Sequence, residues 1–318
     1  MTTPPQPRSP VDRASGTHST GSRAAAARSS ARIRAIFEDA GVRGWLHATP
    51  LDRPDESVEL DPDVVVPLAS VYKLPLLTGF CRLVDQGELD PREQITLLPA
   101  ARTPGPTGLS LLADPVTFSR RDLAVMMMTV SDNAAADALL DQVGLDRLAT
   151  ILRDFGLEKT RIRRGAADSL RALQRSTGAP DPAAALAVLA DNDQTHPAGV
   201  YEAANASAGT ARELTRLLAL LWTGQLLSPE QTHFARTTME RQIFQHRIAS
   251  GFPYDGVRVA GKTGTFGALR HEAAVVTLAG GDAYAVAVLT LAARGDRRLP
   301  RVDAAIGEAA RVAVDLLR

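Results

Sequence analysis

What most limits the fold of this chain is where its local patterns fall: strand-like segments lie near both ends and helical patterning fills the middle. Residues 42–49 are β-formers with Trp45 and His47 on one face, Pro54-Asp55 marks a turn, and 57–60 can return as a partner. Towards the other end, 257–262, 273–279 and 284–292 are strand-like stretches separated by glycines. Between them, 74–86, 121–128, 134–143 and 211–222 carry helical periodicity, with Gly87, Gly144 and Gly224 at or just past the stops. Ile33, Ile36 and Phe37 predict a short first helix ended by Gly41. Val302, Ile306, Ala309, Val312, Ala313 and Leu316 trace a final amphipathic one. The expected fold class is α/β of the α+β kind: one antiparallel sheet from both termini, flanked by helices, with an all-helical lobe inserted. Residues 31–69 and 228–318 make up the expected α/β lobe, 70–227 the helical lobe, and 1–30 a disordered tail rich in Pro, Ser, Thr, Ala and Arg. The stretch 163–209 mixes glycines and prolines with polar residues around an alanine run. A loop of that length reads as a candidate cover for a site.

Lys plus Arg equals Asp plus Glu, 36 of each among 318 residues, so no overall field points to nucleic acid or an anionic membrane. A small-molecule ligand and a monomer are expected. The one cysteine, Cys81, excludes an intrachain disulfide and fits a cytoplasmic protein. The first thirty residues lack the apolar core of a secretory signal, and Arg23 and Arg28 interrupt the alanines; a start site placed wrongly upstream would leave export open. No apolar run reaches the roughly 18–20 residues of a membrane span. The histidines show no HxH or HExxH spacing, so neither a metal nor a cofactor is expected.

Three short clusters carry the chemistry. Ser70-Val71-Tyr72-Lys73 sets a hydroxyl and an amine three residues apart, on one face if helical, so that they can exchange a proton. At a helix start the Ser70 hydroxyl would sit where N–H groups favour a developing anion, and the same position suits a plain N-cap. Lys73 can act as base only with a depressed pKa, and Lys262 is a cation that would depress it. Ser131-Asp132-Asn133 opens a helix: Asp132 reads as its cap, Ser131 as a proton relay to a leaving nitrogen, and Asn133 as a donor to a substrate carbonyl. Lys262-Thr263-Gly264 puts a cation, a hydroxyl and a flexible glycine on a strand edge, suited to a substrate carboxylate. Residues 256–263 also match the phosphate-loop pattern GxxxxGK[ST], which would make the chain a nucleotide binder. Yet the stretch alternates like a strand, and Gly264-Thr265-Phe266-Gly267 starts no helix.

In this order and at these separations the clusters resemble the signature set of the penicillin-recognising serine enzymes, most of all class A β-lactamases, over residues 31–318. The resemblance implies a serine hydrolase acting on cyclic amides, of the kind that confers antibiotic resistance. Ser70 would attack the carbonyl, Lys73 help deprotonate it, Ser131 pass the proton on, and Lys262 and Thr263 hold the carboxylate. The N–H groups of Ser70 and Thr265 would form the oxyanion hole, with Arg270 as a second carboxylate anchor. One departure stands out: where class A enzymes carry the glutamate that activates the deacylating water and a nearby asparagine, this chain has Ala166 and Leu170. Asp168, Asp181, Asp191, Asp193 and Glu202 are candidate replacements, Glu202 preferred because Asn205 lies near it. The expectation is ready acylation with slow hydrolysis. The alternatives are an intracellular amidase, esterase or D-alanyl-peptidase on a non-lactam substrate, and a non-catalytic lactam sensor.

Overall fold

The computed structural model of the chain describes residues 17–193 and 199–318. Helix α1, Thr17–Asp39, leads into strands β1, Val42–Pro50, β2, Val58–Leu60, and the short β3, Val66–Pro67. A single 3-10 turn, Ala69–Tyr72, passes directly into α2, Lys73–Asp85. The middle then runs through β4, Gln94–Leu97, β5, Val116–Ser119, α3, Arg120–Thr129, α4, Asn133–Val143, and α5, Leu145–Asp154. It continues with α6, Ala166–Thr177, α7, Pro182–Ala190, β6, Ala208–Gly209, α8, Ala211–Trp222, and α9, Pro229–Glu240. Strands β7, Arg258–Phe266, β8, Leu269–Thr277, β9, Ala283–Ala292, and helix α10, Pro300–Leu317, complete the chain.

The main sheet is antiparallel in the order β2-β1-β9-β8-β7, and β1 joins β9 from Val42↔Ala292 to Pro50↔Tyr284, so both ends of the chain build one sheet as expected. Its strands show the period of two that a sheet covered on both faces requires. Trp45, Ala273, Val275, Ala285, Ala287 and Leu289 pack with the helical lobe. Their neighbours Leu46, Ala48, Ala274, Val276, Val286 and Val288 pack under α1 and α10 with Ile33, Phe37 and Ile306. Phe37 can lie on β1 because residue 44 is glycine: a Cβ there would overlap the ring.

Three expectations change. Helix α1 reaches back to Thr17, so the tail expected over 1–30 holds at most for residues 1–16, which lie outside the described residues; Ala24–Ala27, with the highest helix propensity, favour the extension. The stretch 163–209 contains two helices, α6 and α7, around a small core of Leu173, Ala185 and Leu189, with residues 194–198 outside the described residues. The phosphate-loop reading fails, because residues 258–266 pair along their length with β8 and a hairpin follows, not a helix.

Candidate functional site

The site begins where β7 crosses the 3-10 turn that carries Ser70. Gly264 permits the crossing: a Cβ there would lie 2.9 Å from the Leu68 carbonyl oxygen and 3.0 Å from the Val71 nitrogen. The approach to Ser70 is tied to the sheet by His271, whose Nε2–H donates to the Pro67 carbonyl at 2.9 Å while Nδ1 accepts from the Thr290 N–H at 3.0 Å. Ala69, just before the serine, takes φ +46°. Such backbone is strained for a residue with a Cβ and is held by its surroundings.

Lys73 opens α2 and is fully buried. Its Nζ donates to the Ser131 carbonyl at 2.7 Å and to Asn133 Oδ1 at 2.9 Å, and lies 3.4 Å from Ser131 Oγ. Lys262 Nζ, also fully buried, reaches the same hydroxyl at 3.0 Å and the Thr263 carbonyl at 2.8 Å. Ser131 adopts φ +58°, and Asp132 holds the turn by accepting from the N–H groups of Ala134 and Ala135 at 2.9 and 3.2 Å, the capping role its position predicts. Lys73, Ser131, Asn133 and Lys262 are thus brought together from α2, the start of α4 and β7, with Ser70 on the 3-10 turn just before α2. Burial pulls Lys73 down to about 7, against the attraction of Asp132 and Asp137. Burial, followed by the charges of Lys73 and Arg247, pushes Lys262 well below the ordinary lysine range. Two ammonium groups sharing one buried hydroxyl cannot both keep their protons cheaply, so the arrangement supplies a neutral amine near neutral pH.

Ser70, Asn133 and Thr265 border a cavity of about 550 Å³ that runs along α6. Among the described residues its wall contains no Asp, Glu or His: α6 contributes Ala166, Ser169, Leu170 and Leu173, and Phe266 and Leu269 close the far side. Tyr72 also borders it, but burial pushes its phenol well above the usual range, so it remains protonated and is no base. The carboxylates nominated as replacements lie elsewhere. Glu202 is exposed and absent from the wall, although Asn205 reaches it. Asp168 pairs with Arg171 at 2.6 Å on the surface, Asp181 caps α7, and Asp191 accepts from the Asp193 N–H at 3.0 Å.

Two further expectations are redirected. Arg270 is 2% exposed and gives its guanidinium to backbone carbonyls, those of Gly267, Leu269 at 2.9 Å and Asp296 at 2.7 Å, so it ties the β7–β8 hairpin to the segment before α10 and does not face the cavity. The Thr263 hydroxyl and N–H both donate to Gln242 Oε1, at 3.0 and 2.6 Å, and Gln242 in turn donates to the buried Glu272 at 3.0 Å. Burial raises Glu272 to about 7. Thr265, at the exposed end of the strand, is backed by Arg247, whose Nη2 donates to its hydroxyl at 2.7 Å while Nη1 holds the carbonyls of Gly264 and His271, both at 2.8 Å. Gln242 and Arg247 lie in irregular chain between α9 and β7, where no periodicity or motif marks them; only the tertiary contact identifies them.

A family model described as the beta-lactamase enzyme family matches residues 28–317. The chain belongs to the β-lactamase enzyme family. Within that family it is 33% identical over 305 residues to the β-lactamase regulatory protein BlaB of Streptomyces cacaoi, covering 90% of this chain and 96% of that one. The β-lactamase of Sphaerobacter thermophilus superposes with a TM-score of 0.72 at 23% identity, over 92% of this chain and 97% of its own. PBP-A, solved as a leucine-to-glutamate mutant in an acyl-enzyme complex with penicillin G, superposes with a TM-score of 0.72 at 22% identity, over 90% and 94%. These structures share the fold, an antiparallel sheet flanked by helices as the family requires.

Proposed function

We propose that this β-lactamase family member is acylated at Ser70 by β-lactams and holds the acyl group for a long time, acting as a lactam-responsive protein with slow hydrolysis. The observation that carries this reading is the contrast within one site: Lys73, Ser131 and Lys262 converge, while the cavity wall around Ser70 offers no carboxylate among the described residues. In the acylation step the neutral Lys73 amine takes the Ser70 proton as Oγ bonds to the lactam carbonyl carbon. The N–H groups of Ser70 and Thr265 receive the oxyanion, and the proton passes through Ser131 to the nitrogen as the C–N bond breaks. Water attack on the resulting ester needs a base, and the described groups bordering the cavity supply none. The resemblance to a protein named as a β-lactamase regulator supports a signalling outlet over bulk lactam destruction.

Intact mass followed over time after mixing with a penicillin and a cephalosporin tests the reading, with Ser70→Ala as control. A Ser70-dependent adduct that decays slowly is expected. Fast decay makes the protein a working lactamase, and no adduct with either drug redirects the assignment to a non-lactam ester or amide.

A further inference from the structure

Two arginines border the cavity without a partner. Arg164 lies just before α6 and Arg175 in its last turn, and neither side chain makes a hydrogen bond or ion pair among the described residues. Other surface arginines are engaged, Arg171 with Asp168, Arg212 with Glu59 and Asp63, Arg294 with Asp296, while Arg161 and Arg163 make no side-chain pair among the described residues but do not border the cavity. Between these two residues α6 lines the cavity with Ala166, Ser169, Leu170, Ala172 and Leu173, mostly apolar, and Phe266 borders the same space as Ser70. Ala166 and Arg175 are nine positions apart on one helix, which separates their backbones by about 13 Å. The cavity thus has a reactive serine, an apolar stretch, and unpaired positive charge at both ends of the helix that forms its wall. The Asp137 carboxylate, which faces the start of α6, is itself taken up by the N–H groups of Ala166 and Ala167 and by Thr103, each at 2.7 Å.

We infer that the acyl side chain of the preferred substrate is apolar along its length and ends in a carboxylate, which one of these two arginines receives. The inference rests on the acylation reading above and names the substrate class of that same site. An apolar wall selects the chain for its methylene groups, and a terminal carboxylate pairs with an otherwise unmatched guanidinium.

The test compares two penicillins that differ only in side chain, one carrying phenylacetyl and one adipoyl, by the rate of adduct formation in intact mass. The wild-type chain should acylate at least about tenfold faster with the adipoyl compound, a ratio that shrinks as salt screens the contact. In Arg164→Gln with Arg175→Gln the ratio should fall towards one, and in Arg164→Lys with Arg175→Lys most of it should persist. A wild-type ratio near one, a ratio indifferent to salt, or a ratio that survives the glutamine pair overturns the inference while leaving acylation itself intact. Absence of any adduct with both compounds instead overturns the acylation reading.

Discussion

Lys73 and Lys262 both approach the Ser131 hydroxyl, at 3.4 and 3.0 Å, and both are fully buried. With Lys73 drawn down to about 7, the form that can accept a proton dominates above that pH and falls about tenfold for each pH unit below it. Acylation rates should therefore climb with pH through about 7 and then level. Rates of adduct formation measured across that range check this, and a flat profile would remove Lys73 as the base. The proposed slowness of hydrolysis belongs to the same scale. Ala166 and Leu170 border the cavity where the resemblance implies a glutamate and an asparagine. Ala166→Glu with Leu170→Asn should speed loss of the acyl group about 10²-fold or more by restoring a base for water. Leu170 is buried, so burying an amide in its place should lower stability by about 1–3 kcal/mol. Decay of the mass adduct and a thermal melt separate the two effects.

Helix α6 is the element on which the cavity depends, and it is held at its start by a side chain from another helix. Asp137, on α4, accepts the N–H groups of Ala166 and Ala167 as a cap supplied from outside the helix's own sequence. Asp137→Ala should cost about 1–2 kcal/mol. Amide exchange should quicken along α6 while β8 and β9 keep their protection; equal loosening of the sheet would contradict this local role. The start of α7 carries a local signal that reading 163–209 as a loop passes over: Asp181-Pro182 pairs an N-cap acid with proline at the first helical position, and Asp181 accepts from the Ala184 N–H at 2.8 Å. The start of α6 carries none, because its own N-cap is Gly165 and the capping carboxylate lies on a distant segment. Helices α2, α3, α4, α8 and α10 are readable because each keeps an apolar face against a large core, so its periodicity survives in the sequence. Helices α6 and α7 share only a three-residue core, and their pattern is correspondingly faint.

The molecule as a whole is joined through buried histidines on the sheet. His47 on β1 contacts Thr215 of α8 at 2.6 Å and Arg212 at 3.1 Å, and His271 on β8 bridges to Pro67. Burial lowers both from 6.5 to about 4, so the folded state binds fewer protons than the unfolded one. Their stabilisation is complete above about pH 6.5 and is lost as the pH falls through about 4, each costing up to about 3 kcal/mol. Glu272, raised from 4.5 to about 7, runs the opposite way: its contribution is complete below about 4.5 and lost as the pH rises through about 7. Two histidines outweigh one carboxylate, so stability should fall on acidification between about 6.5 and 4, and His47→Gln, which cannot titrate, should flatten part of that fall in denaturant titrations at several pH values. A sheet that joins both ends of the chain, its helical insert, and the order of the three chemical clusters were all determined by the sequence itself, because period, spacing and residue type are local properties. Which side chains reach the cavity was decided only by the tertiary structure. Arg270 and Thr263 are taken up by carbonyls and by Gln242, Glu202 is exposed and off the wall, and Arg175 borders the cavity, while Arg247 backs Thr265 and Asp137 the start of α6 from behind. Where a side chain points, and whether its charge is met, depends on segments far apart in the chain that pack against one another, and no local pattern records that.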